Sequence, residues 1–448
     1  MSDNDSNNPW LTGFAVLAGT AVVAITVAVL MDSGRLAVDE PLHESAERLR
    51  GKALVGGTDF SDNAATVTKS AGEPAPVAAV SAPAEDPLMA SIRKVLETAH
   101  AVPNEALLTF NTRGELAAFL RQASGLGFKI ISTVDGLNAV RVGFEDVGKL
   151  RDYLAAAKEA APSLEANQWM TVPRLPKEDA GNQGGSVPVG DNFLADINAV
   201  GDRTNWGKGI KVAVLDTGVK DHPTFGSGQV THIDLVNDGK SLHSHGTSVA
   251  SLIAGQDERV PGVAPGAEIL DIRVADGKGY SVTSVLAQGI IEATNRGARI
   301  INISMGGYDD SALLRQAVAY AQQKGAFIVA AAGNESYDQL AYPAAIEQVV
   351  SVASVDGQNK QAYFSNSGKN LDFAAPGVGL STAWETNMVA TASGTSQSAG
   401  VVSGIMAANL SLGVRAPDLL RQMQRDARAT GAPATQVGNG VARVTGRR

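Results

Sequence analysis

In the second half of the chain, short apolar runs alternate with stretches of helical spacing. Residues 210–215 and 326–331 are nearly continuous apolar runs, and 268–274 and 299–304 are apolar-rich; all four read as buried strands. Between and after them, residues 281–296, 311–324 and 393–410 place apolar side chains at helical spacing. Strand and helix in alternation predict an α/β domain, a doubly wound parallel sheet with helices on both faces, over residues 191–448. In such sheets a site forms beyond the carboxyl ends of the strands.

Residues 88–172 follow a different pattern. A helical start leads into a strand at 106–110. Then Thr112 to Ala123 carries Leu116, Phe119 and Leu120 on one face, with Glu115 three residues after the candidate cap Thr112. Strands at 128–132 and 137–144 flank an Asp135-Gly136 turn, a second helix covers 147–157, and a last strand runs over 163–172. The β-α-β-β-α-β order predicts a small α+β module of ferredoxin-like arrangement. Residues 173–190 are polar and rich in Gly and Pro, which suits an exposed, cleavable linker.

Upstream, residues 32–87 lack periodicity and are rich in Ala, Pro, Ser and acids, the composition of an extended tether. Residues 10–31 contain no charged side chain and as a helix would reach roughly 33 Å, enough for a bilayer core. The preceding tail, residues 1–9, holds two Asp and no Lys or Arg, and no small-x-small site closes the run. Those flanks favour an uncleaved transmembrane helix over a signal peptide.

Four short motifs carry chemistry. Asp216-Thr217-Gly218 ends an apolar strand, and His245-Gly246-Thr247 opens a helix-like segment. Ala332-Gly333-Asn334 follows another strand, and Gly394-Thr395-Ser396 precedes the last long helix. Acid, base, amide donor and hydroxyl nucleophile are the parts of serine-dependent amide hydrolysis. Each motif alone has a bland reading, as a turn, a surface histidine or a helix cap. His243 and His245 form an H-x-H pair, but no acidic or sulfur cluster completes a metal site around them.

In motif and order, residues from about 205 to the C-terminus resemble the catalytic domain of the subtilisin-like serine proteases, the subtilases. The resemblance implies Asp216, His245 and Ser396 as a triad and Asn334 as oxyanion donor. Ser304-Met305-Gly306-Gly307 resembles the family's substrate-binding strand, and with Ala332 and Gly333 it would wall the main specificity pocket. Residues 88–172 occupy the place of an inhibitory propeptide, so the chain would be a self-inhibited precursor, its own prodomain acting as intramolecular inhibitor. No cofactor is expected. Calcium is frequent in such enzymes, but no ligand set maps onto this sequence. One departure stands out. The family continues Gly-Thr-Ser-Met-Ala-x-Pro, whereas this chain reads Gly394-Thr-Ser-Gln-Ser-Ala-Gly400. Gly within a helix costs about 1 kcal/mol, which predicts a looser helix after Ser396. A catalytically weakened protein that keeps the groove for peptide binding at the membrane is the alternative.

Composition narrows the choice. There is no cysteine, which excludes disulfides and a thiolate nucleophile. A net charge of −9 without basic runs makes nucleic acid no partner; protein or peptide substrates are the expected ones. Location is contested within the sequence. Arg35, Arg48, Arg50 and Lys52 follow the apolar run and by the positive-inside rule keep the bulk cytoplasmic. The family resemblance instead places the catalytic domain outside, anchored in a bacterial inner membrane.

Overall fold

The computed structural model describes residues 86–174 and 185–445. The expected anchor at 10–31, nearly all of the tether and residues 175–184 of the linker lie outside them. Among the described residues no helix is long and apolar enough to cross a membrane.

The first part opens with helix α1 (Pro87–Leu96) and strand β1 (Glu105–Thr109). Helix α2 (Arg113–Gln122) starts at the foreseen cap: the Thr112 side chain accepts from Glu115 N, and the Glu115 carboxylate accepts from Thr112 N. Strands β2 (Phe128–Val134) and β3 (Ala139–Phe144), helix α3 (Val147–Ala157) and strand β4 (Ser163–Glu165) follow. The sheet order is β2-β3-β1-β4, with all three pairings antiparallel. Phe110, Phe119, Phe128, Val142 and Leu150 are buried together beneath the helices. The expected strand over 163–172 is broken in two. β4 stays in the sheet, while β5 (Trp169–Thr171) leaves it and pairs antiparallel with β9 (Tyr280–Val282) of the second part. The break between them places Asn167 at the start of another helix, a tertiary demand that a strand pattern does not reveal.

The second part is built on a seven-stranded parallel sheet. Its strands are β6 (Lys211–Asp216), β7 (Val230–Asp234), β8 (Glu268–Arg273), β10 (Ile300–Ile303), β11 (Phe327–Ala331), β12 (Val350–Val355) and β13 (Phe373–Pro376). Their order is β13-β12-β11-β10-β6-β8-β7. Winding runs one way from β6 to β8 and the other way from β10 to β13, so the switch point lies between β6 and β10. Alternation along β6 shows the two-sided burial. Ala213 and Leu215 join one apolar cluster with Leu286, Ile290, Leu314 and Val318. Val212 and Val214 join the other with Val249, Ile253, Val402 and Ile405. Helices α5 (Thr283–Asn295) and α6 (Ala312–Gln323) cover the first face; α4 (His245–Ala254) and α7 (Thr395–Ser411) cover the second.

Helix α7 is buried around its whole circumference from Thr395 to Asn409, as expected for a helix walled by sheet and neighbours on every side. Gly400 lies at the contact between α7 and α4. A Cβ there would meet Val249 O at 3.2 Å and Val249 Cγ1 at 3.3 Å. The missing side chain lets α7 lie close against α4, so close packing offsets the lower helix propensity. A hairpin of β14 (Leu380–Trp384) and β15 (Met388–Ala392) packs beside α4.

Candidate active site

Asp216 is the last residue of β6, at the switch point, and is fully buried. Its Oδ1 accepts from Thr217 N at 2.7 Å and from Thr217 Oγ1 at 3.1 Å. His245 is the first residue of α4, and its Nδ1 lies 2.8 and 2.9 Å from the two Asp216 oxygens. A proton on Nδ1 satisfies that contact and leaves Nε2 with a free lone pair. The approach of α4 to the Asp216 turn requires Gly246, because a Cβ there would stand 2.5 Å from Gly218 O.

The turn is held from below by a residue that the sequence did not single out. Asp271, on the neighbouring strand β8, is fully buried; it accepts from Val219 N at 2.8 Å and lies 2.5 Å from His232 Nδ1. Burial pushes the Asp271 carboxyl above its ordinary range, while the bond to Asp271 raises His232. The start of α4 is braced by Glu385, which accepts from Ser244 Oγ at 2.7 Å and pairs with Lys220. Those two partners hold the Glu385 carboxyl below its ordinary range, Lys220 first. Among the described residues no cluster of three or more potential metal ligands includes His243. Its Nδ1 accepts from His245 N at 3.2 Å, its ring meets Trp384 edge-on, and burial followed by the charge of His245 lowers its pKa.

Ser396 is the second residue of α7 and is buried. The helix N-terminus there presents free N–H groups and partial positive charge. Its Oγ donates to Ser304 O at 3.4 Å, and among the described residues no hydrogen bond joins it to the His245 ring. Asn334 stands after β11. Its Oδ1 accepts from Thr395 N at 2.9 Å and Thr395 Oγ1 at 2.8 Å, which turns its NH2 group towards the cleft. Gln397, where the family has Met, reaches Ser248 Oγ of α4 at 3.4 Å and so links the helices that carry Ser396 and His245.

The cleft beside these groups is filled by the chain's own backbone. Thr171 and Gly306 exchange both backbone hydrogen bonds at 2.9 Å, and Val172 N donates to Gly279 O at 2.9 Å. At the end of that strand, Asn334 Nδ2 donates to Pro173 O at 3.2 Å. Met170 is buried in the core cluster of the second part, with its sulfur over Gly307; a Cβ on Gly307 would meet that sulfur at 3.0 Å. The first part also caps two helices of the second. Glu165 accepts from Ser311 Oγ, Ala312 N and Leu313 N, all at 2.9 Å, and Asn167 Oδ1 accepts from Ser284 N at 3.2 Å. His100 Nδ1 lies 2.6 Å from Asp309 Oδ2.

Of the residues expected from the sequence, Asp216 is joined to His245, Ser396 meets Ser304 O, and Asn334 and Gly333 both contact Thr395 beside Ser396. Gly306 pairs with Thr171 and Gly307 lies under Met170, whereas Met305 and Ala332 are buried in the core. Beside Gly333 lies a polar cluster that the sequence reading missed. Tyr308 OH donates to Glu335, whose Oε2 also accepts from Asn334 N at 2.8 Å and Asn366 Nδ2 at 3.3 Å. Burial, then the Glu335 carboxylate, raises the Tyr308 phenol far above its ordinary range, so it stays a donor. Tyr308 and Glu335 directly follow Gly307 and Asn334, a signal available from position alone; nothing local marks Asn366 or Asp271.

The model of the subtilase family matches residues 207–440, a span that contains all four motifs. The chain belongs to the subtilase family. It is 37% identical over 228 residues to Subtilisin BL of Lederbergia lenta, covering 50% of this chain and 83% of that protein. To M-protease of Shouchella clausii strain KSM-K16 it is likewise 37% identical over 228 residues, covering 50% of this chain and 59% of that protein. The fold of this subtilase is similar to fervidolysin from Fervidobacterium pennivorans, a keratinolytic enzyme related to subtilisin. That match has a TM-score of 0.64 at 24% identity and covers 77% of this chain and 61% of the other.

Proposed function

We propose that this subtilase is a serine endopeptidase made as a self-inhibited precursor, tethered to a membrane through residues 10–31. Ser396 is the nucleophile, His245 the general base, Asp216 the residue that orients His245, and Asn334 the oxyanion donor. The observation that carries this reading is the Pro173 carbonyl on the Asn334 amide, at the end of a strand laid antiparallel along Gly306. A peptide held this way presents a carbonyl to a nucleophile and an oxyanion donor together, which is the geometry of an acyl-transfer site. Residues 88–172 then act as inhibitor by strand addition into the groove and by capping α5 and α6 with Asn167 and Glu165.

In the reaction, the Ser396 hydroxyl turns from Ser304 O to His245 Nε2, gives up its proton there and adds to the substrate carbonyl carbon. Asp216 keeps the other His245 proton on Nδ1 and stabilises the imidazolium that forms. The oxyanion is received by Asn334 Nδ2 and by the backbone N–H of Ser396. His245 then protonates the departing amine, and water hydrolyses the Ser396 ester by the same steps reversed.

The test is a fluorophosphonate, which phosphonylates only an activated serine. Label recovered on the peptide that contains Ser396 is the expected result. A folded, prodomain-free chain that takes up no label would favour the peptide-binding alternative. Replacing Asn334 by Ala is expected to lower kcat by about 10²–10³ with little change in KM, because the lost bond forms mainly in the transition state; steady-state kinetics on a peptide amide reads both constants. Glu165→Gln should leave turnover by the freed enzyme unchanged and weaken prodomain inhibition about tenfold, since three charge-assisted donors at a helix N-terminus lose their anion. Titration of enzyme activity with the isolated fragments of the processed chain measures that loss.

A further inference from the structure

The hydrogen-bond ladder in the cleft has one rung missing. Thr171 and Gly306 form a pair that exchanges both backbone bonds. In an antiparallel ladder the next such pair lies two residues on in one strand and two back in the other, which here matches Pro173 with Ser304. Proline has no N–H, so Pro173 cannot donate to Ser304 O. The donor found at Ser304 O is instead the Ser396 hydroxyl, at 3.4 Å. The Ser396 hydroxyl is thus engaged by Ser304 O, while the Pro173 carbonyl is already held by Asn334 at 3.2 Å.

We propose that Pro173–Arg174 is the self-processing bond of this chain, and that Pro173 slows its own cleavage by leaving Ser304 O open to the Ser396 hydroxyl. The proposal rests on the protease reading given above. Arg174, on the leaving side, is exposed. On the acyl side the bond is held by the Asn334 amide on Pro173 O and by the Thr171–Gly306 pair.

The step balances as an ordinary hydrolysis. Ser396 Oγ bonds to the Pro173 carbonyl carbon as its proton passes to His245. The bond from that carbon to Arg174 N breaks, and the same proton goes to the leaving nitrogen. Water then cleaves the ester, leaving a Pro173 carboxylate and an Arg174 amine. Before any of this, the hydroxyl must leave Ser304 O. A residue with an N–H at 173 would occupy that oxygen itself and free the hydroxyl for His245.

The experiment follows intact mass and the new N-terminus over time in the full chain, as wild type, Pro173→Ala, Pro173→Gly and Ser396→Ala. Expected are a wild-type cut after Pro173 with Arg174 as the new N-terminus, and no cut in Ser396→Ala. Both the Ala and Gly variants should process about tenfold faster, the value of one neutral hydrogen bond, because both restore the N–H although their side chains differ. A wild-type cut at another bond overturns the site assignment and leaves the protease reading standing. Equal rates at the same bond, or acceleration in only one of the two variants, overturn the role given to the proline. Absence of cutting and of fluorophosphonate label in every variant would sink the protease reading itself.

Discussion

Ser396→Ala is expected to lower kcat by about 10⁶, the scale known for triad deletions in subtilisin, and to leave a small residual rate from Asn334 and substrate binding. The reasoning lies in the division of labour within the cleft. Asn334 is fixed by Thr395 N and Oγ1, not by Ser396. Gly306 pairs with the chain's own Thr171 through backbone groups alone, and a substrate strand is proposed to bind in the same way. Removing one hydroxyl therefore deletes covalent catalysis while binding and oxyanion stabilisation stay, so KM should move little. Hydrolysis of labelled casein by the processed enzyme and by the variant, freed of its prodomain by an added protease, makes the comparison. A loss below about a hundredfold would mean that Ser396 is not the nucleophile.

Asp216→Asn should cost about 10⁴ in kcat with the fold intact. Thr217 N and Thr217 Oγ1 both donate to Asp216 Oδ1, so the oxygen of an Asn at this position settles there. Its NH2 then takes the place of Oδ2, 2.9 Å from His245 Nδ1, where it repels the Nδ1 proton that the retained oxygen, at 2.8 Å, still accepts. The Nδ1–H tautomer is disfavoured and the imidazolium loses its carboxylate partner, so the ring accepts the proton of Ser396 far less readily. The double variant with Ser396→Ala should be no slower than Ser396→Ala alone, because the two act as one unit. Thermal unfolding of Asp216→Asn close to that of the parent would show that the loss is chemical. A fall of only a few fold would separate Asp216 from the role of orienting the base.

The Gln397 position bears on both results. Gln397 Nε2 and Ser248 Oγ connect α7 to α4 at 3.4 Å, and Gly400 lets the two helices lie close. Since α4 carries His245 and α7 carries Ser396, both contacts lie between the helices that position the two residues.

Local chemistry made the helices, the strands and the four motifs legible in the sequence. Short apolar runs alternating with helical patterns fit interior strands of a covered sheet, and Thr112 with Glu115 marks a helix start locally. Asp216, His245, Asn334 and Ser396 were legible because each sits where a strand or helix ends, in a short motif that carries its own geometry. What tertiary structure alone decided depends on pairing between distant segments. The sheet order, with its switch point between β6 and β10, is a choice of neighbours that no local pattern encodes. So is the departure of β5 from its own sheet: residues 163–172 read as one strand until Asn167 and Glu165 find the ends of two helices more than a hundred residues away. Asp271 and Asn366 read as unremarkable polar residues, because a buried polar group acquires meaning only from the partner that satisfies it. The same holds for Pro173. Its missing N–H matters only because the fold sets it opposite Ser304, one rung from the nucleophile.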